Sequence, residues 1–489
     1  MIGRGVVAAG HPESAAAGAA VLRAGGNAVD AAVAAVLTSF VAEPLLTGLG
    51  SGGYLLVVPP GGEAVLLDFF VETPGRDRDP ADRAPLRAVT VDFGDATQVF
   101  HAGAASCGTY GTPAGLAAAV ADFGRAPLAE LTAPAARLAR AGVRVTPMQE
   151  YLYALLAEIN AATPAGRARY VPGGQPPRTG DVVTDPELAD ALDRFGAEGP
   201  AHFYTGDVAA AVVDEVRVQG GLLGKADLAG YEVLRRDPVH VPYRDAVVCT
   251  NPPPSAGGVL VGRALAELDA RPGPPDAPAL IAAMAAAERE RTPEFLAGLS
   301  SATHAGANRL GSTTHVSVLD ADGWACAVTT SNGEGSGVVV PGTGVHLNNV
   351  LGEEDLSPLG FHTQPPGSRL PSMMAPTVVL HEGAARLVVG SAGSNRIRSA
   401  LLQVIVNVVD RGLAAQAAVD APRVHYAPEG LFAEPGIPTE DLAATGLPVT
   451  LFRDANLYFG GCQAAVRDPA TGRRSGGADP RRGGGVAVA

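Results

Sequence analysis

Lysine is nearly absent from this chain, and acidic side chains outnumber basic ones. Lys225 is the sole lysine among 36 Lys and Arg, and 50 Asp and Glu bring the formal net charge to -14. The lack of lysine excludes Schiff-base and phosphate-loop lysine chemistry almost everywhere in the chain. The acidic balance argues against a nucleic-acid partner, because a protein that binds the phosphate backbone needs a basic face.

Cysteine is also scarce, and the usual metal-binding patterns are missing. No two cysteines have CxxC spacing; the four are Cys107, Cys249, Cys326 and Cys462. A thiolate zinc site, a redox pair and a disulfide framework are therefore unexpected, and we predict four buried free thiols. The ten histidines include no HExxH motif and no close pair. The sequence thus predicts neither a bound metal nor a cofactor.

Long apolar runs are absent too. No stretch reaches the roughly 18 residues that a membrane helix needs without a glycine or a charge. The short apolar segment at the N-terminus is interrupted by His11, Pro12 and Glu13, so it does not resemble a signal peptide. We expect a cytoplasmic protein. With 47% hydrophobic and 18% charged residues, the chain can bury a sizeable core.

Helix-forming segments dominate the first half of the chain, and strand-forming segments are concentrated in the second. Gly25-Gly26 can end one Ala-rich helix, and Asn27 can cap the next. Residues 314–320 and 324–331 predict a β-hairpin closed by a tight turn at 320–323. This order predicts stacked layers with a sheet in the middle. Predicted helices lie at 14–24, 28–40, 114–123, 129–141, 148–158, 185–195, 207–218, 259–269 and 396–409, and further strands at 54–58, 64–70, 376–381 and 385–390.

The run from Gly48 to Gly53 matches the GxGxxG text of a dinucleotide-binding loop. That fingerprint needs a strand before it and a helix after it, whereas here a helix precedes and a strand follows. We therefore interpret the run as a tight turn whose backbone passes close to other elements. The shorter Gly50-Ser51-Gly52 is not a nucleophile elbow, because it lacks the GxSxG length and precedes a strand.

Two later segments are candidates for chemistry. Thr313-Thr314 lies at the mouth of the predicted hairpin, although threonines in a strand are ordinary by themselves. The loop from Gly390 to Arg396 joins a strand to a helix. Such a loop can direct backbone N–H groups and a positive helix end at one point, which suits an oxyanion. A plain turn is the alternative interpretation, as is plain coil for the Gly-rich loop from Ser331 to Gly337.

Taken together, motifs spread along nearly the whole chain, from about residue 7 to 484, resemble the γ-glutamyltransferase (γ-glutamyltranspeptidase) family. Each motif alone is weak, but their collinear order makes the combination specific. The stretches that carry the resemblance are Gly25 to Ala32, Gly48 to Gly53, Gly111 to Pro113, Pro252 to Gly258, Thr313 to His315, Leu347 to Asn349, Ser372-Met373 with Pro376-Thr377, Gly390 to Arg396, and Asp479 to Arg481.

The resemblance implies a mixed α and β fold, a four-layer αββα sandwich of the N-terminal-nucleophile hydrolase type. It also implies a precursor that cuts itself between Ser312 and Thr313. The products would be a large chain, 1–312, and a small catalytic chain, 313–489, which stay associated as one αββα domain. The expected partners besides these chains are a small-molecule amide and a water or amine acceptor, with no nucleic acid and no membrane.

The resemblance further implies a role for each matching residue. Thr313 would be the nucleophile, and its freed α-amine, which titrates near about 7.7–8.0, would be the local base. Backbone N–H groups of Gly393 and Ser394 would hold the oxyanion, and Ser331 matches a second hydroxyl beside the nucleophile. The positions that correspond to the family's substrate contacts are Asn332, Glu353 and Ser372.

One departure from the family pattern concerns the substrate. The family grips the substrate α-carboxylate with an arginine after an Asp-Phe pair, but here Asp68-Phe69 is followed by Phe70. Arg76 and Arg78 are the nearest candidates to replace the missing cation. The resemblance favours cleavage or transfer of a γ-glutamyl group from an amide such as glutathione. The alternatives are an acylase that acts on a less charged amide, an inert relative that folds without cleaving, and a nucleotide-binding protein.

Overall fold

The computed structural model describes residues 3–92, 97–292, 295, 313–353 and 360–489. The helices are α1 Pro12–Ala24, α2 Ala28–Ala42, α3 Thr112–Phe123, α4 Leu128–Ala141, α5 Pro147–Leu155, α6 Ala157–Asn160, α7 Pro164–Tyr170, α8 Pro186–Glu198, α9 Ala201–Tyr204, α10 Asp207–Val218, α11 Lys225–Ala229, α12 Ala256–Asp269, α13 Ala277–Arg289, α14 Arg396–Val409, α15 Ala415–Asp420 and α16 Thr439–Ala443. In the described part of the chain, no helix combines the length and the apolar character needed to cross a bilayer.

The strands are β1 Gly5–Ala9, β2 Gly52–Val58, β3 Val65–Phe69, β4 Arg87–Asp92, β5 Thr97–Ala102, β6 Val143–Arg144, β7 Val182–Val183, β8 Leu234–Arg236, β9 Val239–Tyr243, β10 Ala246–Thr250, β11 Thr314–Asp320, β12 Ala325–Ser331, β13 Val339–Val340, β14 Val345–His346, β15 Thr377–His381, β16 Ala384–Ala392, β17 Val424–Ala427, β18 Gly430–Ala433, β19 Val449–Leu451, β20 Gly461–Arg467, β21 Arg474–Ala478 and β22 Gly485–Val488. Most of them belong to two large sheets, and the others form small hairpins and a three-stranded sheet.

Two antiparallel sheets form the centre of the molecule. The first sheet has the order β22-β1-β11-β12-β2-β3-β8, and the second sheet has the order β21-β20-β16-β15-β10-β9. Strand β11 contacts β16 and β20, and β12 contacts β16, so the two sheets stack face to face. Every residue of β11 and β12 is buried. Strands covered on both faces place any group at their ends deep in the molecule.

Helices cover the outer face of each sheet. Helices α1, α2 and α3 pack on the first sheet, and α12, α14 and α15 pack on the second. Helix α2 is buried along its whole length, because its Ala and Val side chains face the first sheet on one side and neighbouring helices on the other. The order helix, sheet, sheet, helix confirms the predicted four-layer αββα sandwich.

Local sequence signals explain how α2 begins. Gly25 has a φ of 104° and ends α1 in the left-handed conformation. The Asn27 side chain then accepts hydrogen bonds from the backbone N–H groups of Val29 and Asp30, and the Asp30 carboxylate accepts one from Asn27. This reciprocal capping box satisfies the first donors of the helix. The predicted cap is therefore confirmed.

The Gly48 to Gly53 run is the predicted close-packed turn, with β2 starting inside it. A Cβ atom on Gly50 would lie 2.3 Å from the His346 carbonyl oxygen, and one on Gly53 would lie 2.3 Å from that of Thr329. Only a residue without a side chain fits such approaches. The prediction of buried free thiols is also confirmed for the four cysteines.

The structure corrects the sequence-based prediction in several places. The helix predicted at 148–158 is two helices, α5 and α6, which meet at Leu156. Helix α13 begins at Ala277, within the Pro-rich residues 270–278, where we predicted no helix. Strands β1, β9, β10, β20, β21 and β22 were not predicted either. Strands β1, β10, β20 and β22 pair with strands that are distant in sequence, whereas β9 and β21 form local hairpins with β10 and β20.

Candidate active site

The two ends of the β11–β12 hairpin bring two hydroxyl groups together. Thr314 pairs with Thr330, so Thr313 and Ser331 lie opposite each other one residue further out. The Thr313 hydroxyl donates a hydrogen bond of 3.3 Å to the Ser331 Oγ atom. Ser331 Oγ also accepts from the Gly333 N–H at 3.0 Å. Thr313 is 5% exposed, so the candidate nucleophile is held in a buried position. Ser312 lies outside the described residues.

The second sheet supplies the loop that was predicted to bind an oxyanion. Strand β16 ends at Ala392, and α14 begins at Arg396. Between them Gly393 has a φ of 116° and Ser394 a φ of 49°. Two successive residues with positive φ form a sharp turn, and such a conformation in a non-glycine residue is kept only where surrounding structure enforces it. The turn places the N-terminal, positive end of α14 beside the candidate nucleophile.

A cavity joins these two elements. The polar residues that line it include five of the predicted site residues, namely Thr313, Ser331, Glu353, Ser372 and Ser394. Gly393 is adjacent in sequence to the last of these. The structure therefore brings together residues that lie far apart along the chain. Their catalytic and binding roles stay predictions.

Besides Gly393, Asn332 is the described site residue of the prediction that does not line this cavity. Its backbone N–H donates to the Leu46 carbonyl at 2.9 Å, and its side-chain amide donates to the His346 carbonyl at 3.3 Å. Asn332 is fully buried, and its contacts tie the end of β12 to neighbouring loops. Its role in substrate binding stays a prediction.

The remaining cavity wall is apolar, a feature that sequence reasoning only partly anticipated. The wall consists of Phe70, Met373, Met374 and Ile397. The Phe70 ring lies at the position of the missing arginine and stacks on Tyr54, with 5.5 Å between ring centroids. Ser372 contributes one hydroxyl, whose oxygen accepts from the Met374 N–H. The sequence signal for this wall was the Phe70 departure together with the Ser372-Met373-Met374 stretch.

The arginines that follow Phe70 in the sequence do not line the cavity. Arg76 donates to Glu72 at 3.0 Å and to the Asp227 carbonyl at 3.2 Å, and neither Arg76 nor Arg78 lines the cavity. Sequence reasoning missed Arg369, which is buried behind this wall. Its guanidinium group contacts the Phe70 carbonyl and lies 3.4 Å from Asp68 and 3.5 Å from Glu72. The charges of Arg76 and Arg369 are therefore balanced by carboxylates.

The site offers no histidine as a general base. None of the described residues that line the cavity is a histidine. His315, two residues after Thr313, bonds to the Thr329 and Ser317 hydroxyls at 2.7 and 2.9 Å. Burial lowers the pKa of His315 to about 3, so its ring is neutral at physiological pH. Among the described residues, no cluster of three or more His, Cys, Asp or Glu side chains could hold a metal ion.

Comparison with known proteins places the chain in one family. The γ-glutamyltranspeptidase family model matches residues 14–291 and 278–489. The Acylase ACY 1 proenzyme of Pseudomonas sp. (strain SE83) is 34% identical over 468 residues, covering 86% of this chain and 82% of the relative. The Glutathione hydrolase proenzyme of Escherichia coli (strain K12) is 32% identical over 537 residues, covering 98% and 90%.

A solved structure extends the similarity to three dimensions. The cephalosporin acylase from Bacillus halodurans superposes with a TM-score of 0.85 at 28% identity, covering 99% of this chain and 96% of that one. The family model and these relatives span most of the chain, and the matched residues include those that form the two large sheets and those that line the cavity. The protein therefore belongs to the γ-glutamyltranspeptidase family, a family of hydrolases and acyltransferases.

Proposed function

We propose that this protein is a self-cleaving amide hydrolase or acyltransferase whose nucleophile is the hydroxyl of Thr313. One observation carries the proposal: Thr313 begins the buried strand β11, with its hydroxyl 3.3 Å from Ser331 Oγ, and it shares a cavity with Ser394. The proenzyme names of the two relatives support cleavage of a precursor. Cleavage between Ser312 and Thr313 gives chains 1–312 and 313–489.

Cleavage makes a base available at the nucleophile itself. The new α-amine of Thr313 has a pKa of about 7.7–8.0 in the absence of perturbation, so a substantial fraction is unprotonated near neutral pH. That amine takes the proton of the Thr313 hydroxyl while the oxygen attacks the amide carbonyl carbon. Because no histidine lies among the described lining residues, the amine is the base that the site supports best.

The reaction then passes through an acyl-enzyme. The oxyanion that forms on the carbonyl accepts hydrogen bonds from the Gly393 and Ser394 N–H groups, and each such donor contributes about 2.7–4 kcal/mol. The α-ammonium returns its proton to the leaving amine, which departs and leaves an ester on Thr313. Water, or an acceptor amine, attacks the ester and releases the acid or a new amide. Ser331 holds the Thr313 hydroxyl in place during these steps.

The cavity wall supports an acyl group without an α-carboxylate. An anionic group next to Phe70, Met373 and Met374 loses its hydration without gaining a cation, which costs several kcal/mol. Arg76 and Arg369 do not compensate, because both are paired with carboxylates. We therefore favour an acylase activity on an amide with an uncharged or remotely charged acyl group. The acylase names of two relatives point the same way.

Hydrolysis of γ-glutamyl amides is the second candidate. Glu353 supports it, because a carboxylate in the cavity wall can bind the α-ammonium group of a glutamyl substrate. A panel of anilides separates the two candidates. Acylase activity predicts higher kcat/KM on simple acyl anilides, whereas a γ-glutamyl enzyme prefers γ-glutamyl anilide.

The nucleophile assignment has its own test. Thr313→Ala should remove both self-cleavage and turnover, because no other residue supplies the hydroxyl and the terminal amine together. Denaturing electrophoresis should give one band for the variant and two for the native sequence. Thr313→Ser is the matched control, since it keeps the hydroxyl, and it should still cleave. Full turnover by the alanine variant on every anilide would refute the proposal.

A further inference from the structure

The turn that follows α2 contacts both strands of the β11–β12 hairpin on the helical side of the first sheet. Glu43 is the C-cap residue of α2, where its backbone N–H donates to the Ser39 carbonyl. Its carboxylate accepts from the Thr314 hydroxyl, with its two oxygens at 3.0 and 3.1 Å. Four residues later, the Thr47 hydroxyl bonds to the Thr330 hydroxyl at 2.8 Å. The same turn therefore holds both strands of the hairpin at their ends.

Strand geometry relates the hydrogen bonds of Glu43 and Thr47 to the positions of the Thr313 and Ser331 hydroxyls. Thr314 and Thr330 are direct cross-strand partners, and successive side chains of a strand point to opposite faces. Glu43 and Thr47 hold this pair on the helical face. The next pair out, Thr313 and Ser331, has its hydroxyls 3.3 Å apart in the cavity. A displacement of Thr314 is therefore transmitted to Thr313 through one peptide bond.

The contact between Glu43 and Thr314 is buried and closely packed. Glu43 is 7% exposed. A Cβ atom on Gly10 would lie 2.3 Å from Glu43 Oε1 and 2.6 Å from Thr314 Oγ1, so the glycine leaves room for the carboxylate to reach the strand. The bond joins residues 271 positions apart in the chain. It crosses between the two chains that self-cleavage produces.

The charged groups around Glu43 determine how it titrates. Burial raises the pKa of Glu43 to about 7, and the Thr314 hydrogen bond and the charge of Arg482 oppose that rise. Burial lowers the pKa of Arg482 to about 10, so it stays cationic at neutral pH. His11 lines the same cavity as Glu43 and has a pKa lowered to about 4 by burial, so it stays neutral. Further charges that act on Arg482 are those of Arg396, Asp479 and Glu334.

We propose that Glu43 is a positioning residue for the nucleophile: it anchors Thr314, and its negative charge stabilises the protonated form of the freed Thr313 α-amine. The proposal rests on the proposed role of Thr313. A nearby anion makes an ammonium group harder to deprotonate. The acid limb of the pH–rate profile, which reports formation of the free amine, therefore lies at higher pH in the native protein than it does without this charge.

Glu43→Gln tests the charge while keeping an acceptor for Thr314. With an effective dielectric constant of about 20, loss of the charge should move the acid-limb midpoint of kcat/KM down by roughly one pH unit. Thr314→Val removes the anchoring hydroxyl and should lower kcat about tenfold, whereas Thr314→Ser should restore it. Because the pKa of Glu43 is raised in the folded state, its contribution to the stability of the fold is lost as pH rises from about 4.5 to 7. Replacing Glu43 by the uncharged Gln should therefore not lower the Tm at pH 8.

Asp30→Asn is the matched control, because Asp30 is a buried carboxylate at the other end of α2, roughly 20 Å away. It should leave both the midpoint and kcat unchanged. Wild-type midpoint in Glu43→Gln together with wild-type kcat in Thr314→Val would overturn the proposal. An active Thr313→Ala variant would instead overturn the proposed function, so the two failures are distinguishable.

Discussion

Replacing Gly393 by alanine should disable the oxyanion site without unfolding the protein. Gly393 has a φ of 116°, a conformation that alanine adopts at a cost of roughly 1–2 kcal/mol. A Cβ atom there would also lie 2.9 Å from the Gly460 Cα atom, which is closer than two carbon atoms pack. Because the obstructing atom is backbone, the loop itself must move, and the Gly393 N–H moves with it.

The size of the effect follows from the donor that is displaced. One oxyanion donor contributes about 2.7–4 kcal/mol to the transition state, so kcat should fall about 100- to 1000-fold. KM should change little, because in the proposed mechanism the donor binds the tetrahedral oxygen and not the ground-state carbonyl. The conformational cost should lower the Tm by only a few degrees.

Gly412→Ala is the matched control for this experiment. Gly412 has a φ of 63°, and a Cβ atom there would meet nothing within 4 Å. It shares the conformational cost but lies just beyond the end of α14, away from the cavity. Initial rates with a saturating anilide and thermal unfolding of both variants give the comparison. Equal kcat in the two alanine variants would refute the assignment of the oxyanion loop.

Two further substitutions test the nucleophile's neighbour and the apolar wall. Ser331→Ala removes the acceptor of the Thr313 hydroxyl and of the Gly333 N–H, so kcat should fall about tenfold. Ser331→Thr keeps a hydroxyl and should stay active. An unchanged rate in the alanine variant would contradict the positioning role of Ser331. Phe70→Arg restores a cation to the wall and should lower the KM for γ-glutamyl anilide about tenfold or more, whereas Phe70→Leu should not. Equal KM values in the arginine and leucine variants would show that the wall does not select the acyl group.

Elements whose signals are local could be predicted from the sequence. Alternation and the turn at 320–323 identified the hairpin of β11 and β12, and the Gly390 to Arg396 stretch identified the junction before α14. Strands such as β1 and β22 escaped prediction. Strand β1 is five residues long and becomes a strand by pairing with β11 and β22. Such pairing depends on residues distant in sequence, so no local sequence pattern indicates it.

Some parts of the candidate site could likewise be predicted from local motifs, and other parts could not. Motifs in the sequence indicated Thr313 and the Gly393-Ser394 turn, and the structure adds that Thr313 and Ser394 line one cavity with Ser331, Ser372 and Glu353. The contacts of Glu43 with Thr314 and of Arg369 with Phe70 span 271 and 299 residues. Neither pair stands out in the sequence, because an acidic residue after a helix and an isolated arginine are ordinary features. These contacts form only where the packed fold buries the side chains together.

The mass of the purified, active protein tests the central claim most directly. We expect two components that correspond to residues 1–312 and 313–489, and N-terminal sequencing of the smaller one should begin with Thr-Thr-His. Brief incubation with a slowly deacylated anilide should add the acyl mass to the smaller chain alone. A single unbroken polypeptide with full activity, or an acyl group carried by the larger chain, would contradict the account.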